Sequence, residues 1–361
     1  MGKKVCFITM MNIMAVPYLS KYIELMNCDY DIIYWNRYGV IENSNAAAHY
    51  SLEYPLPKDT TKLRKLIGYL KFKVFADKIL RENDYQKVVL LSGNVAVLLK
   101  NVLLTKYRSR YIIDIRDYFM ENNKLYYSAE KKVIDNSGLA VISSVAYKRF
   151  LPEHDYVIVH NSPILTENQI SLFRAKKDSQ RAKINKGPIV LSFIGGVRFF
   201  EQDKKILSYF ANDDRFSIRY IGAGAELLRD HCKQNGINNV YLHDRFPPEQ
   251  TLDFYEMTDV ILNLYGRGTP LLDYALSNKL YYAAALGLLI LVCPDTYMEE
   301  VAVENGFGFT FYLDDPMAKD RLYSYYRTID WEDFYKHCDE FLAKVNRDEA
   351  VFSDQVKQCL F

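Results

Sequence analysis

From residue 5 to residue 160, short apolar runs alternate with longer segments in which apolar residues return every three or four positions. The first pattern is that of strands buried on both faces, the second that of helices with one apolar side, so their alternation predicts a parallel sheet covered by helices. Strands are expected at Val5 to Met10, Asp31 to Trp35, Val88 to Leu91, Tyr111 to Ile115, Ala140 to Ser143 and Tyr156 to Val159. Helices are expected near 18–26, 62–81, 95–105, 124–134 and 145–150. Residues 165–188 lose the period and turn charged. The alternation then resumes, with strands at Ile189 to Ile194, Ser217 to Ile221, Val240 to Leu242, Val260 to Leu264, Leu288 to Val292 and Phe307 to Phe311. From Met317 onward the pattern is helical and rich in aromatic residues.

A chain of 361 residues exceeds the size, roughly 250–300 residues, at which single cores stop growing. Two domains follow, and the loss of period marks the linker: residues 1–165, a linker at 166–187, a second domain at 188–340 and a terminal helix at 341–361. The longest apolar run, Leu280 to Cys293, has 14 residues and contains Gly287, too few to span a bilayer. The N-terminus opens like a signal peptide but has no small-residue cleavage site, and reads as a first buried strand. Six cysteines without C-x-x-C spacing read as reduced, buried thiols of a cytoplasmic protein, with no metal site.

Charge refines this picture. The net value of +1 hides 23 basic against 16 acidic residues in 1–165 and 23 against 29 in the remainder. The basic half suits an anionic partner, phospholipid or a pyrophosphate-linked acceptor rather than nucleic acid. Much of the excess lies in residues 62–80, where Lys62, Arg64, Lys65, Lys71, Lys73 and Lys78 surround Leu63, Leu66, Ile67, Leu70, Val74 and Phe75. Two readings stand: the apolar stripe packs on the sheet, or it lies on an anionic membrane.

Candidate chemistry collects where strands end, since ligands of open parallel sheets bind outside the carboxyl ends of strands. No G-x-G-x-x-G occurs, so a dinucleotide is not implied. Asp114, Arg116 and Asp117 close a strand in the first half, where a carboxylate could orient or deprotonate a hydroxyl. In the second half Gly195 and Gly196 follow a strand directly, with Arg198 and Lys204 beyond them, and Gly222 and Gly224 follow the next. Glycines admit close approach of the backbone to a ligand, and the basic residues suit phosphates. Ser277 opens a helix with Asn278, Lys279, Leu280 and Tyr282 in its first turns, and such a helix start with a lysine beside it can hold a phosphate.

The stretch Ser277 to Gly287, SNKLYYAAALG, resembles the donor-binding pattern Pro-Asn-Lys-Leu-x-Glu-x-x-Ala-x-Gly of GT-B glycosyltransferases of family 4. Asn278, Lys279, Leu280, Ala285 and Gly287 match; Ser277 replaces the proline and Tyr282 the glutamate. The segment IIDIRDYF, residues 112–119, is similar to the D-x-R-D-x-W/F segment of bacterial polysaccharide glycosyltransferases of that family. The resemblance implies an α/β protein of two Rossmann-like domains facing a cleft, with the last helix crossing back to the first domain. It implies a UDP- or GDP-linked sugar as donor, no cofactor and no metal. Arg198, Lys204 and Lys279 would stabilise the leaving diphosphate, the loop Tyr265 to Asp273 with Thr269 and Asp273 would face the sugar, and Asp117 would position the acceptor. The acceptor would be a lipid-linked or growing glycan of capsule, exopolysaccharide or O-antigen assembly at the inner face of the membrane, with configuration retained. Because Tyr282 breaks the Glu-x7-Glu pair, a non-catalytic glycan- or partner-binding subunit is the alternative, and a sugar-nucleotide 2-epimerase a more distant one.

Overall fold

The computed structural model describes residues 4–57, 60–183 and 187–361. The chain divides into two compact units. Unit 1 runs through His160 and takes back Asn346–Phe361, and unit 2 is Asn161–Val345.

Unit 1 contains strands β1 (Val5–Thr9), β2 (Tyr30–Asn36), β3 (Ala48–Glu53), β4 (Lys87–Leu90), β5 (Tyr111–Ile115), β6 (Leu139–Ile142) and β7 (Val157–Ile158). They form one parallel sheet in the order β3-β2-β1-β4-β5-β6-β7. Every residue of β1, β2, β5 and β6 is buried, as a sheet covered on both faces requires. Edge strand β3 went unpredicted because it lacks an apolar run and stays half-exposed.

Unit 2 contains β8 (Ile189–Ile194), β9 (Phe216–Ile221), β10 (Val240–His243), β11 (Val260–Asn263), β12 (Leu289–Val292) and β13 (Gly308–Thr310). Their order is β10-β9-β8-β11-β12-β13, again all parallel. Both sheets therefore follow the 3-2-1-4-5-6 order of the Rossmann type.

The expected linker 166–187 is instead largely the helix Glu167–Lys183 of unit 2, and residues 184–186 of that expectation lie outside the described ones. Its basic side chains have distant partners. Arg174 donates to the Ala284 and Ala285 carbonyls at 3.0 and 3.1 Å, Arg181 to that of Gly287 at 2.9 Å, and buried Lys177 to Asp259 at 3.1 Å. The carbonyls at the end of helix Asn278–Leu286 are thereby capped by guanidinium groups.

The last helix starts at Trp331, earlier than expected, and runs to Leu360. Phe334, Cys338, Phe341 and Val345 belong to the core of unit 2. Phe352, Val356 and Leu360 belong to that of unit 1, where Phe352 meets the ring of Tyr22 edge-on at 5.2 Å.

Helix Lys62–Glu82 packs through Gly68, Phe72, Ala76, Ile79 and Leu80. Phe72 stacks on Trp35 at 6.2 Å, and a Cβ on Gly68 would lie 2.3 Å from the same indole. The stripe Leu63, Leu66, Ile67, Leu70 and Val74 faces away and is 39–70% exposed. Packing of that stripe on the sheet is thus corrected, since the aromatic and glycine contacts commit a different face of the helix.

Candidate functional site

In unit 2 the chain direction across the sheet reverses between β8 and β11, and such a switch point opens a crevice at the C-terminal strand ends. Gly195 leaves β8 at φ +135° and Gly222 leaves β9 at φ +136°. A Cβ on Gly222 would sit 2.1 Å from the Gly195 carbonyl oxygen, so the two turns touch only because residue 222 is glycine. Gly222→Ala is expected to cost on the order of 3 kcal/mol, from left-handed strain plus overpacking. Denaturant unfolding would read it, and a loss below about 1 kcal/mol would mean that the turns yield.

Helix Asn278–Leu286 is set against β11 by its cap. The Ser277 hydroxyl accepts from the Lys279 amide at 3.1 Å and donates to the Asn263 side chain at 3.0 Å. The helix ends at Gly287, at φ +65°, where a Cβ would strike the Tyr335 ring at 2.1 Å. Lys279, only 3% exposed, runs beneath the Gly195 turn. Its ammonium donates to the Tyr265 hydroxyl at 2.8 Å and lies 4.3 Å from the centre of the Phe193 ring, a cation–π arrangement. Asp203, buried on helix Phe200–Tyr209, feels the same charge. Burial pushes its carboxyl up to about 6, while Tyr220 and the charge of Lys279 act in the opposite direction.

Gly195, Gly222, Ser277 and Lys279 thus come together at the switch point. Asn278 is exposed as the first residue of its helix, and Gly196 and Arg198 are exposed on the loop after β8. Other expected ligands are directed elsewhere. Leu280 is fully buried core, placed there by the apolar side of its helix. Lys204 pairs with Glu201 at 2.8 Å, because the inward position of that turn belongs to Asp203. Thr269 caps helix Pro270–Tyr274, and Asp273 accepts from the Gly268 amide at 2.7 Å, so both hold their own loop. The ring of Tyr282 stacks on that of Tyr255 at 4.6 Å. Asn263, Phe193 and Asp203 went unnoticed in the sequence, where each reads as ordinary strand or helix, and Tyr265 was noted only as the start of the loop expected to face the sugar.

In unit 1, Asp114 at the end of β5 is fully buried. Arg116 donates to both of its carboxylate oxygens, at 2.7 and 2.8 Å, and the Tyr22 hydroxyl donates at 2.9 Å. The guanidinium lies 4.0 Å from the centre of the Tyr18 ring. Burial works against its charge, but the Asp114 carboxylate outweighs it and leaves Arg116 more basic than usual. Asp114 and Arg116 were candidates for catalysis; their geometry is that of a buried pair that fixes the strand end. Asp117, beyond them, is exposed.

A neighbouring group was missed altogether. Glu130, on helix Lys124–Asp135, is 1% exposed, and among the described residues neither of its side-chain oxygens has a hydrogen-bond partner. Burial, reinforced by the charge of Glu121, pushes its carboxyl up to about 8, with Tyr126 acting in the opposite direction. Between the ordinary value of 4.5 and about 8 the folded chain keeps a proton that the unfolded chain has released. Stability from this group therefore falls as pH rises through that window, by up to ~1.4 kcal/mol per pH unit. Glu130→Gln is expected to remove that slope, so that its advantage over the native chain grows from about pH 5 to about pH 9 in denaturant unfolding. Parallel curves would show that Glu130 ionises as it does in the unfolded chain.

Two Rossmann-like units with parallel sheets of the same order give the chain the fold of the GT-B glycosyltransferases. Among solved structures, it is similar to sucrose-phosphate synthase from Thermosynechococcus elongatus, with a TM-score of 0.72 at 11% identity over 99% of both chains. HepE of Anabaena in complex with UDP and glucose gives 0.65 at 11% identity, again over 99% of both. The trehalose 6-phosphate synthase of Burkholderia multivorans gives 0.64 at 9% identity, over 99% of this chain and 96% of that one. No family model and no curated protein matches the chain.

Proposed function

We propose that the chain is a glycosyltransferase whose unit 2 holds a nucleotide sugar, UDP- or GDP-linked, at the switch point between β8 and β11. The observation that carries this reading is the Lys279 ammonium, held beneath the Gly195 turn by Tyr265 and Phe193 at the C-terminal edge of the sheet. A diphosphate there would meet that cation, the glycine backbone and the positive end of helix Asn278–Leu286, and preorganised charge of this kind stabilises charge that develops on a leaving group. Arg198, exposed on the adjoining loop, would add a second cation. The fold supports the reading, and so does the presence of UDP and UDP-glucose in the HepE structures.

In the finer reading the enzyme is of the family 4 type, retains configuration without a metal, and builds bacterial surface polysaccharide on a lipid-linked or growing glycan acceptor held by unit 1. There the exposed Asp117 would orient the acceptor hydroxyl, because Asp114 and Arg116 are committed to each other. The test is release of nucleoside diphosphate from a panel of UDP-, GDP- and dTDP-sugars, with and without glycan acceptors. Turnover of one donor supports the reading, and binding of a nucleotide without turnover of any donor rejects it. One observation favours a second reading. With Tyr282 stacked on Tyr255 in place of a carboxylate, a non-catalytic subunit would bind glycan and release no nucleotide under any donor.

A further inference from the structure

Among the described residues, the outward face of helix Lys62–Glu82 stands without a packing partner. Leu63, Leu66, Ile67, Leu70 and Val74 line it at helical spacing and stand in solvent, whereas the helix is anchored through its opposite side on Trp35. Scattered apolar residues on a surface are ordinary, but five along one stripe are not. Lys62, Arg64, Lys71 and Lys73 flank them, and none has a carboxylate within 4.0 Å among the described residues. The acids of this helix are matched instead to cations farther along, Asp77 to Arg81 at 2.6 Å and Glu82 to Lys78 at 3.8 Å.

A further exposed apolar residue lies on the loop next to the helix start. Gly39 packs on Pro55, whose carbonyl accepts from Arg64 at 3.3 Å, and the Leu56 amide donates to the Arg37 carbonyl at 2.9 Å. These contacts hold loop 38–41 beside the helix start, and at its tip Ile41 is 95% exposed.

We propose that this face is a membrane-docking surface, with the leucines and Ile41 entering the acyl boundary of an anionic bilayer and the surrounding lysines and arginine contacting its headgroups. The inference deepens the reading of a lipid-linked acceptor and rests on it only for its setting. An apolar stripe rimmed by cations is the chemistry of an interfacial helix, which combines buried apolar area with attraction to anionic lipid. A second copy fits less well, because a two-fold contact would set the same cations against each other.

The test is co-sedimentation of the full chain with vesicles of phosphatidylcholine alone and of phosphatidylcholine mixed with phosphatidylglycerol. Binding is expected to the mixed vesicles, falling about fivefold for each of Lys71→Gln and Lys73→Gln. It should fall about tenfold for Leu66→Ser with Leu70→Ser, with unchanged thermal melting as the check on folding. The salt-resistant part of binding should vanish only in the leucine variant. Equal partition of the native chain and the leucine variant would overturn the proposal. So would failure to pellet with the mixed vesicles, or a native dimer that the leucine changes make monomeric. Vesicle binding needs no nucleotide, so a chain that sediments but binds no donor would lose the glycosyltransferase reading and keep this one.

Discussion

Lys279→Ala is expected to weaken binding of the cognate nucleoside diphosphate by about 10- to 150-fold, the worth of one charge-assisted contact to phosphate. Calorimetry with UDP, GDP, CMP and dTDP would read the effect and choose the base. The variant also strips Asp203 of a charge that works against its rise, so its carboxyl should go higher. The double change with Asp203→Asn separates the two consequences: it removes the acid but cannot restore the affinity. Arginine is not expected to rescue, because its planar fork is broader than the ammonium lodged under the Gly195 turn. Native affinity in Lys279→Ala would reduce the lysine to a satisfied core residue and shift the weight to the non-catalytic reading.

Arg116→Ala should destabilise unit 1 by about 3–5 kcal/mol, the usual result of leaving one member of a buried ion pair without the other. Asp114 is fully buried and, among the described residues, would retain only the Tyr22 hydroxyl. Pairing the change with Asp114→Asn should restore most of the loss, since the uncompensated charge is gone. Urea unfolding of the two variants decides the matter. If the single variant lost less than about 1 kcal/mol, the pair would be reachable by solvent, and Asp114 would return as a candidate for acceptor chemistry.

What could be read from the sequence followed from locality. Strands buried on both faces announce themselves as apolar runs, so the central strands of both sheets were legible within a residue or two, while edge strand β3, half-exposed, was not. The helix Glu167–Lys183 looked like a linker because its partners lie about 80 to 110 residues away in sequence, beyond any local period. The stripe of helix Lys62–Glu82 was legible as a stripe. Which face met the sheet depended on Trp35, some 30 residues earlier, which no spacing reveals. Ser277, Asn278 and Lys279 were legible as a helix start because capping is local chemistry. Asp203 was not, since one acid in an amphipathic helix resembles any other until its direction is known.

Because Phe352, Val356 and Leu360 complete the core of unit 1, unit 2 is in effect an insertion between two parts of a discontinuous domain. During synthesis, which proceeds from the N-terminus, the seven strands of unit 1 emerge early, but Tyr22 waits for Phe352 and Lys21 for its ion pair with Glu349. Unit 2, continuous from Asn161 to Val345, can close its own core first. The unit that begins the chain would then be the last to be finished, with a half-covered sheet that depends on the final turns of one helix.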